Sequence, residues 1–366
     1  MQELFWAIIL ICCSIPLGCS IPLALGDNSL KNKKIIEWGW DEPDTKFIRE
    51  HIGQMEQMPF DGLIFHVLNA QGKNLAWEIW GNHRFEMNDF QQALADLQAT
   101  KFHRFTEVFL RVNVTPGDID WFDDNTWAVV LHNFGVAAKI AKASGIKGFM
   151  FDSEPYLAQQ KPESALWSYN ILSTKSSSFS GKSYAEYQSK ARQRGREWIQ
   201  EINRWFPNIT ILMTSGYGYD ITRYKSDPRW GLHTEFMNGI FNACSDKTTI
   251  VDAWEPAYDY KKLEQFKQAY DTIKVKTLGW TDSPEKYRQH IQAGFGIMMD
   301  YNWRKIPWNV SDVSKNYFSP AEFENSVRYA LQTSDRYVWI YTEQPRWWTN
   351  EKLPKDYIEA LIKARK

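Results

Sequence analysis

From residue 35 onward, apolar positions recur in two alternating rhythms. Short, almost continuous apolar runs bounded by Gly, Pro, Asp or Asn predict buried strands at 35–40, 62–68, 107–114, 147–152, 209–215, 249–254, 295–301 and 337–342. Between them, apolar residues return every three or four positions. That spacing predicts helices at 44–57, 88–99, 125–144, 183–206, 228–243, 260–272 with 284–292, 320–333 and 354–364. In the third helix Trp127, Val130, Leu131, Phe134, Ala137 and Ala138 form the stripe of a helix laid against a sheet.

Eight strand-then-helix units predict an α/β fold of the (β/α)8 TIM-barrel type, a single domain over residues 27–366. A chain of 366 residues is long enough for one such core. Segments leaving the carboxyl ends of the strands are long, and those returning are short. Function on this fold collects on the carboxyl face. The longest such segment, 157–182, is rich in Ser and reads as either a lid or a surface insertion.

The residues at the strand ends are repetitive. The run ending Asp152-Ser153-Glu154-Pro155 sends Asp152 and Glu154 to one face, together with Met150 and Gly148, because strand side chains alternate. Pro155 cannot donate to a ladder, so the strand must stop and leave Glu154 at its mouth. Acid and proline also end the runs before Asp41-Glu42-Pro43, Glu255-Pro256 and Glu343-Gln344-Pro345. Four such endings predict one acidic site. Its candidate catalytic residues are Glu154, Glu255, Asp152, Glu343 and Asp300. The candidate substrate contacts are Trp40, Asp41, His66, Arg111, Asn113, Tyr156, Tyr217, Trp254, Tyr258, Tyr301, Trp303 and Trp347.

Composition narrows the chemistry. A formal net charge of -1 offers no field for nucleic acid. Only His66 is placed to serve a metal among the strand ends, whereas zinc hydrolases on this fold need several His ligands. The ends of the last two strands lack a Gly-rich phosphate cradle, no Lys invites a Schiff base, and no Gly-x-Ser-x-Gly or Walker pattern occurs, so no cofactor is expected. The 18 tryptophans suit a cleft that stacks on the apolar faces of sugar rings, although many must be core. Carboxylate chemistry on an oligo- or polysaccharide is what these exclusions leave.

Residues 1–26 read as a targeting segment: 4–26 is uncharged, and Ala24-Leu25-Gly26 has the small-x-small form of a cleavage site. Cys19 after Pro16-Leu17-Gly18 is a possible lipidation point and hence a membrane tether. The expected setting is exported: secreted, periplasmic or surface lipoprotein. Cys12, Cys13 and Cys19 all fall in this leader, leaving Cys244 as a small buried hydrophobe.

Ser153-Glu154-Pro155 resembles the Asn-Glu-Pro of the retaining clan A TIM-barrel glycoside hydrolases, in which that Glu is the acid/base. Ser153 stands where the family has Asn, and Asp300 is the match to the Glu expected on the seventh strand. Thr342-Glu343 with Trp347 resembles a clan A nucleophile strand. Asp152-Ser153-Glu154 is also similar to the Asp-x-Glu of family-18 chitinases and endo-β-N-acetylglucosaminidases. There the Glu protonates the leaving oxygen and the Asp orients the substrate acetamide, but Gly148 and Met150 occupy the positions of that family's further aspartates. The resemblance implies glycosidic-bond hydrolysis by a pair of carboxyls; the acid is assigned to Glu154, with Glu255 ranked first as its partner, then Glu343, then Asp300, and Asp152 in reserve as helper. The rival expectation is a catalytically inactive barrel that binds carbohydrate through its aromatics.

Overall fold

The computed structural model describes residues 30–218 and 230–366. The leader, with Cys12, Cys13 and Cys19, lies outside the described residues, as does the start of the helix expected from 228.

Nine strand segments occur among the described residues: β1 (Lys34–Gly39), β2 (Gly62–Phe65), β3 (Phe109–Asn113), β4 (Gly148–Asp152), β5 (Thr210–Met213), β6 (Thr249–Asp252), β7 (Ile291–Ala293), β8 (Phe295–Met298) and β9 (Tyr337–Thr342). All pair in parallel, in the order β7-β6-β5-β4-β3-β2-β1-β9-β8. β7 and β8 are two halves of one barrel strand. Ile291 pairs with Ile250 on one edge, Phe295 pairs with Val338 on the other, and only Gly294 separates the halves. The ring thus closes as an eight-strand (β/α)8 barrel.

One boundary differs from the sequence expectation. The seventh strand begins at Ile291, inside the segment read as helix to 292, because the helix Pro284–His290 stops there and Ile291 takes a ladder partner. At the other end, β2, β5, β6 and β8 finish two or three residues before the apolar runs do. Those last residues become the turns that carry the site.

Residues alternate between two cores. Ile36, Trp38, Ile64, Phe109, Met150, Leu212, Val251, Tyr337 and Trp339 fill the barrel interior. Their strand neighbours, such as Ile35, Leu63, Phe149, Phe151 and Ile211, face the helices. Trp339 crosses the interior and donates from Nε1 to the Ala253 carbonyl at 2.8 Å. It fits because position 296 is glycine: a Cβ there would stand 2.4 Å from the indole. At the amino end, buried Glu107 accepts from Tyr337 Oη and Arg336 Nη2, both at 2.9 Å, closing the barrel floor.

Segment 157–182 is folded. It holds 3-10 turns at Tyr156–Gln159 and Pro162–Ser164 and a helix at Tyr169–Lys175. Buried Trp167 pins its middle, donating from Nε1 to the Ser153 carbonyl at 2.8 Å, while Trp121 Nε1 donates to the Leu166 carbonyl at 3.0 Å. These anchors fit a fixed wall rather than a lid.

Candidate active site

A cleft of about 790 Å3 opens at the carboxyl ends of the strands. Asp152, Glu154, Glu255 and Glu343 line it, together with Glu42, His66 and Arg111 and the aromatics Trp38, Trp40, Trp77, Tyr156, Tyr258, Tyr301 and Tyr341. Parallel strands deliver all their carboxyl ends to one face, so acids distant in sequence meet there.

On β4 the predicted alternation holds: Met150 is interior, Phe149 and Phe151 face the helices, and Asp152 and Glu154 line the cleft. Asp152 is buried and ringed by donors. Tyr156 Oη donates to it at 2.7 Å, Arg111 Nη2 at 3.3 Å and the Glu154 backbone N at 3.2 Å. Burial lowers the proton affinity of the Arg111 guanidinium, but Glu42 and Asp152 outweigh it and raise the net value. Its plane packs 4.8 Å from the Trp77 ring centroid and 5.5 Å from that of Trp38. Ser153 is buried away from the cleft.

At the end of β6 the backbone is strained. Trp254 adopts φ 35° and ψ 70°, a left-handed conformation that a bulky residue seldom takes and that costs about 1–3 kcal/mol. Three contacts hold it. Trp254 N donates to Asp252 Oδ1 at 3.3 Å, Trp254 Nε1 to Tyr260 Oη at 3.2 Å, and the Glu255 backbone N to the Thr214 carbonyl at 3.1 Å. The turn directs Glu255 to the cleft and leaves Trp254 buried. Tyr258 lies beside it, ring-stacked on Tyr341 at 5.4 Å and edge-on to Trp339 at 5.2 Å. Burial pushes its phenol well above the ordinary value, and the nearby Glu255, Tyr341, Tyr156 and Glu154 push it further. The Tyr258 hydroxyl therefore keeps its proton at neutral pH, in the same cleft as both glutamates.

The β1 and β9 side is different. The strand ends at Gly39 and the chain turns, so Glu42 rather than Asp41 enters the cleft. Trp38 Nε1 donates to Glu42 at 2.7 Å; His66 Nδ1 lies 3.1 Å and Arg111 Nη1 3.5 Å from its carboxylate. Burial raises the Glu42 pKa, but Arg111 and His66 with the Trp38 bond outweigh it and leave it lowered. Asp41 instead borders a separate hollow of about 390 Å3 and accepts from the Trp348 backbone N at 3.2 Å. Glu343 does line the cleft, but its Oε2 accepts from Trp303 Nε1 at 2.5 Å and Arg304 Nη2 at 2.8 Å.

Several expected site residues lie elsewhere. Asp300 is buried outside the cleft lining, its carboxylate accepting from the backbone N of Glu343 (3.1 Å) and Gln344 (2.7 Å), with burial raising its pKa to about 6. It fastens the loop after β9. Trp347 is fully buried, edge-on to Phe60 at 4.8 Å. Trp254 and Tyr217 are core residues; the Tyr217 hydroxyl lies 3.1 Å from Asn238 Oδ1 and 3.0 Å from the Trp280 carbonyl. Asn113 is buried and accepts from Thr115 N at 2.9 Å. Trp303 stands behind Trp40 rather than in the lining. Trp40, His66, Arg111, Tyr156, Tyr258 and Tyr301 do line the cleft.

Glu42, Trp38, Trp77, Tyr341, Arg304 and Arg346 line the cleft without having stood out in the sequence as site residues. Glu42 sits directly before Pro43, in the same place as Glu154 before Pro155 and Glu255 before Pro256. Glutamate immediately before proline was the signal that could have found it.

No protein-family model matches the chain, and no curated protein matches it in sequence. Solved structures to which it is similar include a GH5 family lichenase from Caldicellulosiruptor sp. F32, at 9% identity over 100% of both chains with a TM-score of 0.47. A GH5-4 broad specificity endoglucanase from Bacteroides salanitronis is 9% identical, with 92% of this chain and 93% of that chain covered and a TM-score of 0.49. PbGH5A, a glycoside hydrolase family 5 enzyme from Prevotella bryantii B14, is 9% identical over 93% of this chain and 98% of that one, with a TM-score of 0.47. All three scores are below 0.5, and the barrel assignment rests on the strand order itself.

Proposed function

We propose that this protein is a glycoside hydrolase acting on an oligo- or polysaccharide, with Glu154 as the general acid and Glu255 as its carboxylate partner. One observation carries the reading: two half-buried glutamates from the ends of separate barrel strands line one open cleft together with Tyr258. Glycosidic cleavage needs one carboxyl to protonate the leaving oxygen and a second to activate water or attack the anomeric carbon. Among the other acids, Glu343 is engaged by Trp303 and Arg304, Glu42 by Trp38 and His66, and Asp300 lies beneath a loop. Asp152, fixed by Tyr156 and Arg111, orients the turn that carries Glu154. We also retain export through the leader as part of the proposal.

The carboxylate assignment favours an enzyme over a silent binding barrel, because glycan binding needs no strained turn beneath Glu255. The test is to incubate wild type and Glu154→Gln with a panel of unactivated glycans and follow reducing ends and the product anomer by NMR. Wild type should cleave at least one glycan, and the variant should be slower by on the order of 100- to 10,000-fold while still binding it. Binding by wild type without cleavage of any glycan would select the silent barrel. Near-normal turnover by Glu154→Gln would remove Glu154 as the acid.

A further inference from the structure

The corner of the cleft where Trp40, Trp303 and Arg304 meet has no part in the chemistry assigned to Glu154 and Glu255. Trp40 is the most exposed large hydrophobic residue among those described, at 52%, and it lines the cleft. A structural tryptophan buries its indole, since leaving a large apolar face in water forgoes the gain from its burial. Single exposed aromatics are ordinary on protein surfaces. This one is supported from behind.

Trp303 meets Trp40 edge-on at 6.1 Å between ring centroids. The Trp303 indole is locked by its bond to Glu343, and Arg304 lies 4.5 Å from the Trp303 ring and 5.9 Å from that of Trp40. Arg304 is in turn held by the same Glu343 oxygen at 2.8 Å. One carboxylate therefore fixes both an indole and a guanidinium around an open aromatic face. Asn302, in a left-handed conformation at φ 59°, lines the cleft beside them. Also in the cleft lining, Trp77 and Tyr156 form a second aromatic pair at 5.5 Å, each about 40% exposed.

We propose that the Trp40, Trp303 and Arg304 corner is a binding subsite for a neutral pyranose ring of a glycan chain, organised by Glu343 as a positioning residue. This deepens the proposed function and rests on the cleft receiving a glycan. The apolar face of a sugar ring covers the Trp40 indole while its hydroxyls meet Arg304 and Asn302. Arg304 already has its counter-charge in Glu343, so the corner suits a neutral ring better than a uronate. With the Trp77 and Tyr156 pair as a second aromatic surface in its lining, the cleft is built for several sugar units at once.

The experiment measures binding of neutral β-1,4-linked hexasaccharides of glucose, xylose, mannose and N-acetylglucosamine, the matching disaccharides, and a hexagalacturonate. The protein is the Glu154→Gln full chain, read by calorimetry. Trp40→Ala and Glu343→Gln added to this background should each weaken the best hexasaccharide on the order of tenfold and reduce the preference for hexasaccharide over disaccharide. Trp40→Phe should restore part of it. Thermal unfolding of Trp40→Ala should match its parent, because the side chain is half exposed; if Glu343→Gln fails to fold, Trp40→Ala decides alone. Hexasaccharide affinity unchanged in Trp40→Ala, no binding to any hexasaccharide, or a preference for hexagalacturonate would each overturn the proposal. Wild-type cleavage is scored separately. Cleavage with an unaffected Trp40→Ala sinks the subsite and leaves the hydrolase standing, and binding that depends on Trp40 without cleavage does the reverse.

Discussion

The two sides of the cleft carry the same sequence signal and put it to different uses. At β4 and β6, Glu154 and Glu255 sit half-buried in the cleft wall, which Tyr258 also lines. At β1 and β9, Glu42 and Glu343 line the same cleft but are enclosed by indole, imidazole and guanidinium donors. An acid at a strand end thus takes its surroundings from the residues that other strands bring to it. Those donors come from other strands: His66 from the end of β2, Arg111 from β3, and Trp303 with Arg304 from the loop after β8.

The contrast is broken most directly by exchanging each acid for its amide. Glu255→Gln should cost on the order of 100- to 10,000-fold in kcat on an unactivated glycan, whereas Glu343→Gln should act mainly on KM for long chains. Comparable kcat losses at both would erase the distinction, and steady-state kinetics on the two variants decides it.

A smaller effect is expected at Glu42, read as stability. Glu42→Gln leaves Arg111 with one carboxylate partner instead of two, and breaking a buried ion pair typically costs about 3–5 kcal/mol. Urea unfolding at neutral pH should show most of that loss. Because the folded pKa of Glu42 is lowered, its contribution is present above the ordinary glutamate value and is lost as pH falls through the folded value. The difference between wild type and Glu42→Gln should therefore shrink in acid, and a constant difference across pH would contradict the arrangement.

The smallest effect sits beneath Glu343. Burial raises the Asp300 pKa from 3.8 to about 6, so the folded protein holds a proton there that the unfolded chain has released. Stability should fall as pH rises through that window, by about 3 kcal/mol at most. Asp300→Asn should flatten this slope, measured as Tm between pH 4 and 6.5. An unchanged slope would show that Asp300 is not the group responsible.

Periodicity alone identified the barrel because parallel strands are buried on both faces and their helices on one, which leaves two rhythms in the chain. The weak point was 291–298. There a half-strand comes directly after a helix without a turn residue, and only pairing with β6 makes it a strand. The alternation that placed Asp152 and Glu154 on one face was legible because β4 runs straight to Asp152. At β1 the sequence reading took Asp41, the first acid after the apolar run, and passed over Glu42; the strand ends at Gly39 and the turn that follows brings Glu42 into the cleft.

The tryptophans divide along the same line. Their abundance marked an aromatic-rich protein, yet nothing local separates exposed Trp40 from buried Trp254 or Trp347. Exposure depends on what other strands bring against each ring. Local order along the chain was enough to dictate the eight units, the face on which their carboxyl ends gather and the acids available there. Which of those acids border the cleft beside Tyr258, and which are enclosed by cations and indoles, was settled by packing alone. The cause is range: periodicity is written in neighbours three or four residues apart, whereas a carboxylate's role is set by donors that are far away in sequence and within about 3 Å in space.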